Sequence, residues 1–331
     1  MQAPSFAAHA ENEIRELADL MQIPVITTMM GISVFPDDDQ LFCGMIGTHG
    51  VKMANAAVNE CDVLFLVGAR VGDRAKGVLT ALEKTTKIIH IDIDPAEIGK
   101  NIGADLPLVG DAKLVLQQMT ELAKPMKHDE WIAHIKTLGG ERKYVEPAKG
   151  TVNPRVFIDR LAKKMPANVT VVADVGQNQI WTCTEYKFRK EGRLLTSGGM
   201  GTMGYSVPAA IGAKMADNSR ATVAICGDGA FQMSFMELAT AVQFGVDIKV
   251  VVMTNNRLGM VRELQTNGYH DRQTAVFLDG SPDFIKLAEA YGIPAMRVYD
   301  DDTMDKGVEM LAEHKGICLV EVVVDKDMPT L

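Results

Sequence analysis

From Pro24 to Val324 the chain alternates short β-branched runs with helix-length segments, a rhythm that confines it to parallel sheets covered by helices. Parallel neighbours need a crossover of a dozen residues or more, and the spacing provides it. In the first half Pro24–Thr28, Val63–Arg70 and Lys87–Asp94 read as buried strands, with Glu11–Met21 and Val51–Cys61 as helices between them. Leu106–Val109 fits an edge strand, where Pro107 is tolerated. The pattern weakens after Lys124 into a charged, poorly periodic stretch. It restarts with Asn153-Pro154 as a start signal for a helix at Val156–Lys164. Strands follow at Val169–Ala173, Thr222–Cys226, Ile248–Met253 and Cys318–Val324. The expected organisation is α/β with two domains, each a mainly parallel sheet flanked by helices: residues 1–124, a linker at 125–152, and 153–331.

With 331 residues, 47% of them hydrophobic, the chain is long enough for two separate cores. A net charge of -9 argues against nucleic acid as a partner, because phosphate backbones are held by clustered Lys and Arg. No apolar run reaches the length of a membrane span and no charged-then-apolar leader opens the sequence, so a cytoplasmic protein without a membrane partner is expected. Cys43, Cys61, Cys183, Cys226 and Cys318 are scattered without a CxxC pair, which disfavours zinc and suits reduced thiols.

The strongest chemical signal is Gly227-Asp228-Gly229, followed one βαβ unit later by Asn255-Asn256. A strand precedes Gly227, and Phe231, Phe235, Leu238 and Val242 recur at helical spacing before the next strand. A right-handed crossover makes the two strands parallel, so Asp228 and Asn255 would meet beyond the carboxyl edge, where ligands of open α/β sheets bind. Magnesium takes about six oxygens, and here a carboxylate, a side-chain carbonyl and the oxygens of a diphosphate are at hand. The glycines allow close approach of the backbone, and a helix opening near Ala230 points its positive end at the phosphates. The plainer alternative is a tight Gly-Asp-Gly turn with two loop asparagines. Gly199-Met-Gly201-Thr-Met-Gly204 also matches the dinucleotide fingerprint, but the strand before it is weak and no acidic partner follows, which disfavours a nicotinamide enzyme.

The sequence resembles acetohydroxyacid (acetolactate) synthase, a thiamine-diphosphate enzyme, over nearly its whole length. The matching stretches of the second half are Asp174-Val-Gly-Gln-Asn178, Ser197-Gly-Gly-Met-Gly-Thr-Met-Gly204, Gly227-Asp-Gly-Ala-Phe-Gln-Met233 with Glu237-Leu-Ala-Thr-Ala241, and Asn255-Asn-Arg-Leu-Gly-Met-Val261. The resemblance implies that Asp228, Asn255 and the carbonyl of Arg257 hold Mg2+. It implies that Gln177, Asn178, Gly229, Ala230, Leu258, Gly259 and Met260 line thiamine diphosphate, with Gly201 and Thr202 beside it and Met203 as the wedge that bends it. Pyruvate would be decarboxylated and joined to a second 2-ketoacid, with Arg74 and Leu264 near the substrate. A homodimer and a regulatory small subunit are the partners implied.

The first half resembles the family's middle domain, which holds FAD, at Thr27-Thr-Met-Met-Gly31, Gly44-Met-Ile-Gly-Thr-His-Gly50, Gly68-Ala-Arg-Val-Gly-Asp-Arg74 and His90-Ile-Asp-Ile-Asp94. The flavin residues so implied are Thr28, Met29, Thr48, His49, Gly68, Arg70, Asp92, Ile93 and Asp111. Departures temper the expectation. Pro4-Ser-Phe6 stands where the family has a glycine run, so flavin binding is expected to be weak or absent. Thr254 replaces the first asparagine of the usual pair, Asn178 stands where His is frequent, and Leu264 takes the place of a Trp that shapes the second ketoacid's pocket. The family's N-terminal domain, which brings the catalytic glutamate, has no counterpart here, so a portion inactive by itself is expected. The alternatives are another thiamine-diphosphate decarboxylase or carboligase, and a cofactor-binding remnant without turnover.

Overall fold

The computed structural model describes residues 8–72, 74, 86–140 and 144–331. The chain divides into two compact units, Met1–Arg142 and Lys143–Leu331. Pro4-Ser-Phe6 and Asp73 lie outside the described residues. No helix of the described residues is long and apolar enough to cross a membrane.

In the first unit, helix α1 (Glu11–Met21) buries Ile14, Leu17 and Ala18 along one face and ends on Gln22 in the left-handed region. Strands β1 (Val25–Thr27) and β2 (Phe42–Met45) pair in parallel. Helix α2 (Lys52–Glu60) follows. A second parallel sheet has the order β3 (Val63–Val67), β4 (Lys87–Asp92), β5 (Leu106–Val109). Pro107 sits on β5, the edge strand, opposite His90. Helix α3 (Ala112–Leu122) is capped by Asp111, and α4 (Asp129–Leu138) lies in the charged stretch whose sequence shows no clear period. Ile14, Leu17, Val25, Phe35, Leu41, Val67, Ile91 and Leu116 pack as one core.

The second unit opens with α5 (Pro154–Lys164), whose N-cap Asn153 accepts the N–H groups of Arg155 and Val156 and whose last turn carries Lys163 and Lys164. Six parallel strands then form one sheet in the order β7, β6, β8, β9, β11, β10. These are β6 (Thr170–Ala173), β7 (Arg193–Thr196), β8 (Thr222–Gly227), β9 (Lys249–Thr254), β10 (Ala295–Val298) and β11 (Cys318–Val323). All six residues of β9 are buried, as are five of six in β8, because helices cover both faces. Val172, Ala224, Cys226, Val250, Val252 and Leu319 of the sheet pack with Val207, Phe231, Leu238, Ala241 and Phe284 from its helices.

Two helices carry no readable stripe. In α6 (Gln177–Glu185) every residue is buried, polar ones included, and their side chains are bonded locally: Gln179 to Thr196, Thr182 to the Asn178 carbonyl, Glu185 to Arg155. Helix α7 (Ser206–Ala216) is largely apolar all round. The remaining helices are α8 (Asp228–Phe231), α9 (Leu238–Gln243), α10 (Gly259–Gly268), α11 (Phe284–Ala290) and α12 (Asp301–Glu313). After β6 the chain steps outward to β7 and then returns to β8 on the other side of β6, so the sheet changes winding direction between β6 and β8. That reversal leaves a crevice beyond their carboxyl ends.

Candidate active site at the carboxyl edge of the six-stranded sheet

Gly227 of β8 lies opposite Met253 of β9, so Asp228 and Asn255 emerge from adjacent strand ends. Asp228 is 1% exposed. Its Oδ1 accepts the N–H of Gly229 at 2.8 Å and its Oδ2 the N–H of Asn256 at 2.7 Å. Burial raises its pKa from 3.8 to about 6, and those N–H groups pull it back only in part. Asn256 adopts φ +52°, and Asn255 turns the chain by accepting the Arg257 N–H at 3.1 Å. Arg257 itself points outward to Asp279 at 2.9 Å and over the Phe277 ring.

Asp228, Asn255 and Arg257 border an open cleft at the winding reversal. Three helix N-termini face it: Gly176-Gln177-Asn178 of α6, Asp228-Gly229-Ala230 of α8 and Gly259-Met260 of α10. Unpaired N–H groups at the starts of the longer helices α6 and α10 would suit an anion. Space is kept by glycine. A Cβ on Gly259 would lie 1.9 Å from Oε1 of Gln177, and one on Gly229 would lie 2.8 Å from Leu258 and 3.4 Å from Met203.

Asp174 prepares the opposite wall. Wholly buried, it accepts N–H groups from Val175, Gly204 and Ser206, which pins the glycine-rich loop and sets Met203 at the cleft. The match to the dinucleotide fingerprint is therefore a loop anchored on a carboxylate, with Gly201 and Gly204 at positive φ.

The structure brings Gln177, Asn178, Met203, Asp228, Gly229, Ala230, Asn255, Arg257, Leu258, Gly259 and Met260 to this one cleft. Gly201 and Thr202 are exposed and do not line it, and Leu264 is 61% exposed on α10. Asn178 ties the strand ends together, its Nδ2 donating to the carbonyls of Asp174 and Ile225. Sequence reasoning missed Trp181 and Val261 on the lining and the segment Met328–Thr330 behind it. Gln177 Nε2 donates to the Met328 carbonyl at 2.9 Å, and Trp181 Nε1 to that of Pro329 at 3.1 Å. No local spacing signals a contact made across 151 residues.

In the first unit the candidate residues follow strand ends. Thr28 and Met29 come after β1, Thr48 and His49 after β2, Gly68 and Arg70 after β3, Ile93 after β4 and Asp111 after β5, while Asp92 ends β4. Asp92 Oδ1 accepts the Asp94 N–H, and its buried Oδ2 has no hydrogen-bond partner among the described residues. Asp111 caps α3 by accepting the Leu114 N–H, Ile93 is 65% exposed, and the Arg74 carbonyl accepts from Thr48.

Among the described residues no three His, Cys, Asp or Glu side chains converge as metal ligands. The donor set at the cleft is one buried carboxylate with amide and backbone oxygens beside it, which suits a hard cation sharing ligands with an anion rather than zinc.

Comparison with known proteins agrees in both halves. Residues 5–119 match the thiamine pyrophosphate enzyme central domain, and residues 174–322 the C-terminal TPP binding domain. A probable acetolactate synthase large subunit of Methanocaldococcus jannaschii is 40% identical over 327 residues, 96% of this chain and 55% of its own length. The acetolactate synthase of Mycobacterium bovis is 39% identical over 334 residues, 96% of this chain and 53% of its own. The large subunit from Lactococcus lactis subsp. lactis is 35% identical over 314 residues, 94% and 54%. The chain spans about half the length of the curated relatives it matches. It belongs to the thiamine pyrophosphate enzymes, of which it carries the central and the C-terminal TPP-binding domains.

Proposed function

We propose that this chain provides the Mg2+- and diphosphate-binding part of an acetolactate synthase, acting on pyruvate and a second 2-ketoacid. The observation that carries the reading is a single buried carboxylate, Asp228, facing a cleft onto which three helix N-termini open. An anionic ligand gains from those N-termini but is repelled by Asp228, and a divalent cation between them removes the conflict. Asp228, Asn255 Oδ1 and the Arg257 carbonyl would hold that cation, leaving diphosphate oxygens and water to complete about six ligands.

When bound, thiamine diphosphate supplies an electron sink for decarboxylating a 2-ketoacid and passing the remaining two-carbon unit on. The chain's own residues bind and shape. Gly229 and Gly259 would give a diphosphate close approach to the backbone, and Met203, on the loop that Asp174 anchors, would bear on the cofactor's rings from the other wall. The relatives' printed names support acetolactate formation as the activity. Association into a homodimer, and with a regulatory small subunit, belongs to the same reading. Weak flavin binding also belongs to it, because Asp111 is engaged as a helix cap and Ile93 stands exposed.

Calorimetric titration with thiamine diphosphate tests the proposal. Binding is expected only with Mg2+, and Asp228→Ala is expected to abolish it in a folded protein. Equal affinity with and without the cation would remove the metal assignment.

A further inference from the structure

Glu263 on α10 stands behind the cleft without lining it, yet its bonds lead there. Its two oxygens each accept the Thr330 N–H at 3.2 Å, and Oε2 also takes the Thr330 hydroxyl and Gln177 Nε2, the latter at 3.3 Å. Gln177 and Thr330 are 4% and 3% exposed, so water does not compete for these groups. Gln177 Nε2 further meets the Met328 carbonyl at 2.9 Å and the Thr330 oxygen at 3.2 Å, and its Oε1 accepts Asn255 Nδ2 at 3.2 Å.

We propose that Glu263 is a positioning residue that, through Thr330 and Gln177, reinforces the orientation in which Asn255 turns its amide oxygen to the cation. The inference rests on the reading of the cleft as an Mg2+-diphosphate site. The two ends of a carboxamide are nearly the same size, so hydrogen-bond polarity alone selects its orientation. A carboxylate only accepts. Thr330 must therefore donate its hydroxyl to Glu263, which leaves that oxygen to accept from Gln177. The Met328 carbonyl also only accepts. The end of Gln177 facing these three groups is the NH2, and its oxygen turns toward Asn255. Asn255 answers with its own NH2 and directs Oδ1 away, where the Arg257 N–H holds it and a lone pair remains for a cation. Reversed, Asn255 would present two N–H donors to the metal. Groups that orient a metal ligand in this way typically change affinity by about 10- to 100-fold when altered.

Glu263→Gln keeps the size and loses the fixed polarity, whereas Glu263→Asp keeps an acceptor-only group. Thr330→Val removes the relay hydroxyl by a separate route. Mg2+ is titrated into the full chain at saturating thiamine diphosphate, with Trp181 on the cleft wall as reporter in a Trp131→Phe background. The expected result is a Mg2+ midpoint raised about tenfold in Glu263→Gln and in Thr330→Val, with an unchanged melting temperature, and largely recovered in Glu263→Asp. A parental midpoint in Glu263→Gln, or an aspartate variant as weak as the glutamine one, overturns the relay while the cofactor reading stands. Should Glu263→Gln fail to fold, Thr330→Val decides, a parental midpoint there overturning the relay. A parent chain that shows no Mg2+-dependent response overturns the cofactor reading itself, and the relay with it.

Discussion

Oδ2 of Asp228 accepts the backbone N–H of Asn256 at 2.7 Å, which fastens the loop after β9 to the loop after β8 around a carboxylate that lines the cleft. Asn256, one step past Asn255, holds φ +52°, an uncommon conformation for a residue other than glycine.

Asp228 makes the metal-free chain less stable as pH rises. Its folded pKa of about 6 exceeds the ordinary 3.8, so between those values the folded state holds the extra proton. Stability is then expected to fall by about 3 kcal/mol from pH 4 to above pH 6. Asp228→Asn should flatten that dependence in chemical denaturation of the second unit. Mg2+ binds the ionised form, so its midpoint should climb as pH drops below 6.

His90 gives the first unit the opposite slope. It is 1% exposed, and burial lowers its pKa although the neighbouring Asp92 and the Ala69 backbone oppose the shift. The folded state keeps the ring neutral while the unfolded chain takes a proton below about 6.5. Stability present above that pH should be lost as pH falls. His90→Leu should remove the loss in urea titrations at pH 7 and pH 5.

Gly259→Ala should damage the site more than the fold. The new Cβ would sit 1.9 Å from Gln177 Oε1 and displace the amide that orients Asn255. A cost of about 1–3 kcal/mol in stability, with a larger proportional loss of thiamine diphosphate affinity, is the expected outcome of melting and calorimetry.

Asn153→Ala should lower the stability of the second unit by about 1 kcal/mol. It removes the cap on α5 and the Nδ2 bond to the Val145 carbonyl, and leaves cofactor affinity unchanged. Equal melting temperatures would show that the cap is dispensable.

The chain alone should form no acetolactate from pyruvate. Activating the cofactor's reacting carbon requires a carboxylate held against its aminopyrimidine ring, and such positioning can remove many kcal/mol of barrier. Asp228 is the one carboxylate among the described residues that line the cleft, and the role proposed for it is to hold the cation. Glu237 is bonded to the Thr240 hydroxyl on α9 and does not line the cleft. Acetolactate above the level of an Asp228→Ala control would place the catalytic acid within these 331 residues.

The sequence made Asp228 and Asn255 legible because each ends a β-branched run and the crossover between them has one allowed hand. Residues whose neighbours are local in the chain were readable in the same way: the Asn153 cap, the helix α1, Pro107 on its edge strand. The α6 helix was not, since burial on every side erases the stripe that marks an amphipathic helix. Nor were Glu263 and Thr330, whose meaning comes from meeting Gln177 in space. Strand β7 was faint because a four-residue edge strand carries few residues to show an alternation.

Val152 pairs in parallel with Val324, its N–H reaching the Val323 carbonyl at 2.9 Å, so the stretch leading into α5 runs beside the stretch that follows β11. Loosening either of these two stretches therefore loosens the other, which ties the start of the unit to the segment that brings Met328 to Gln177.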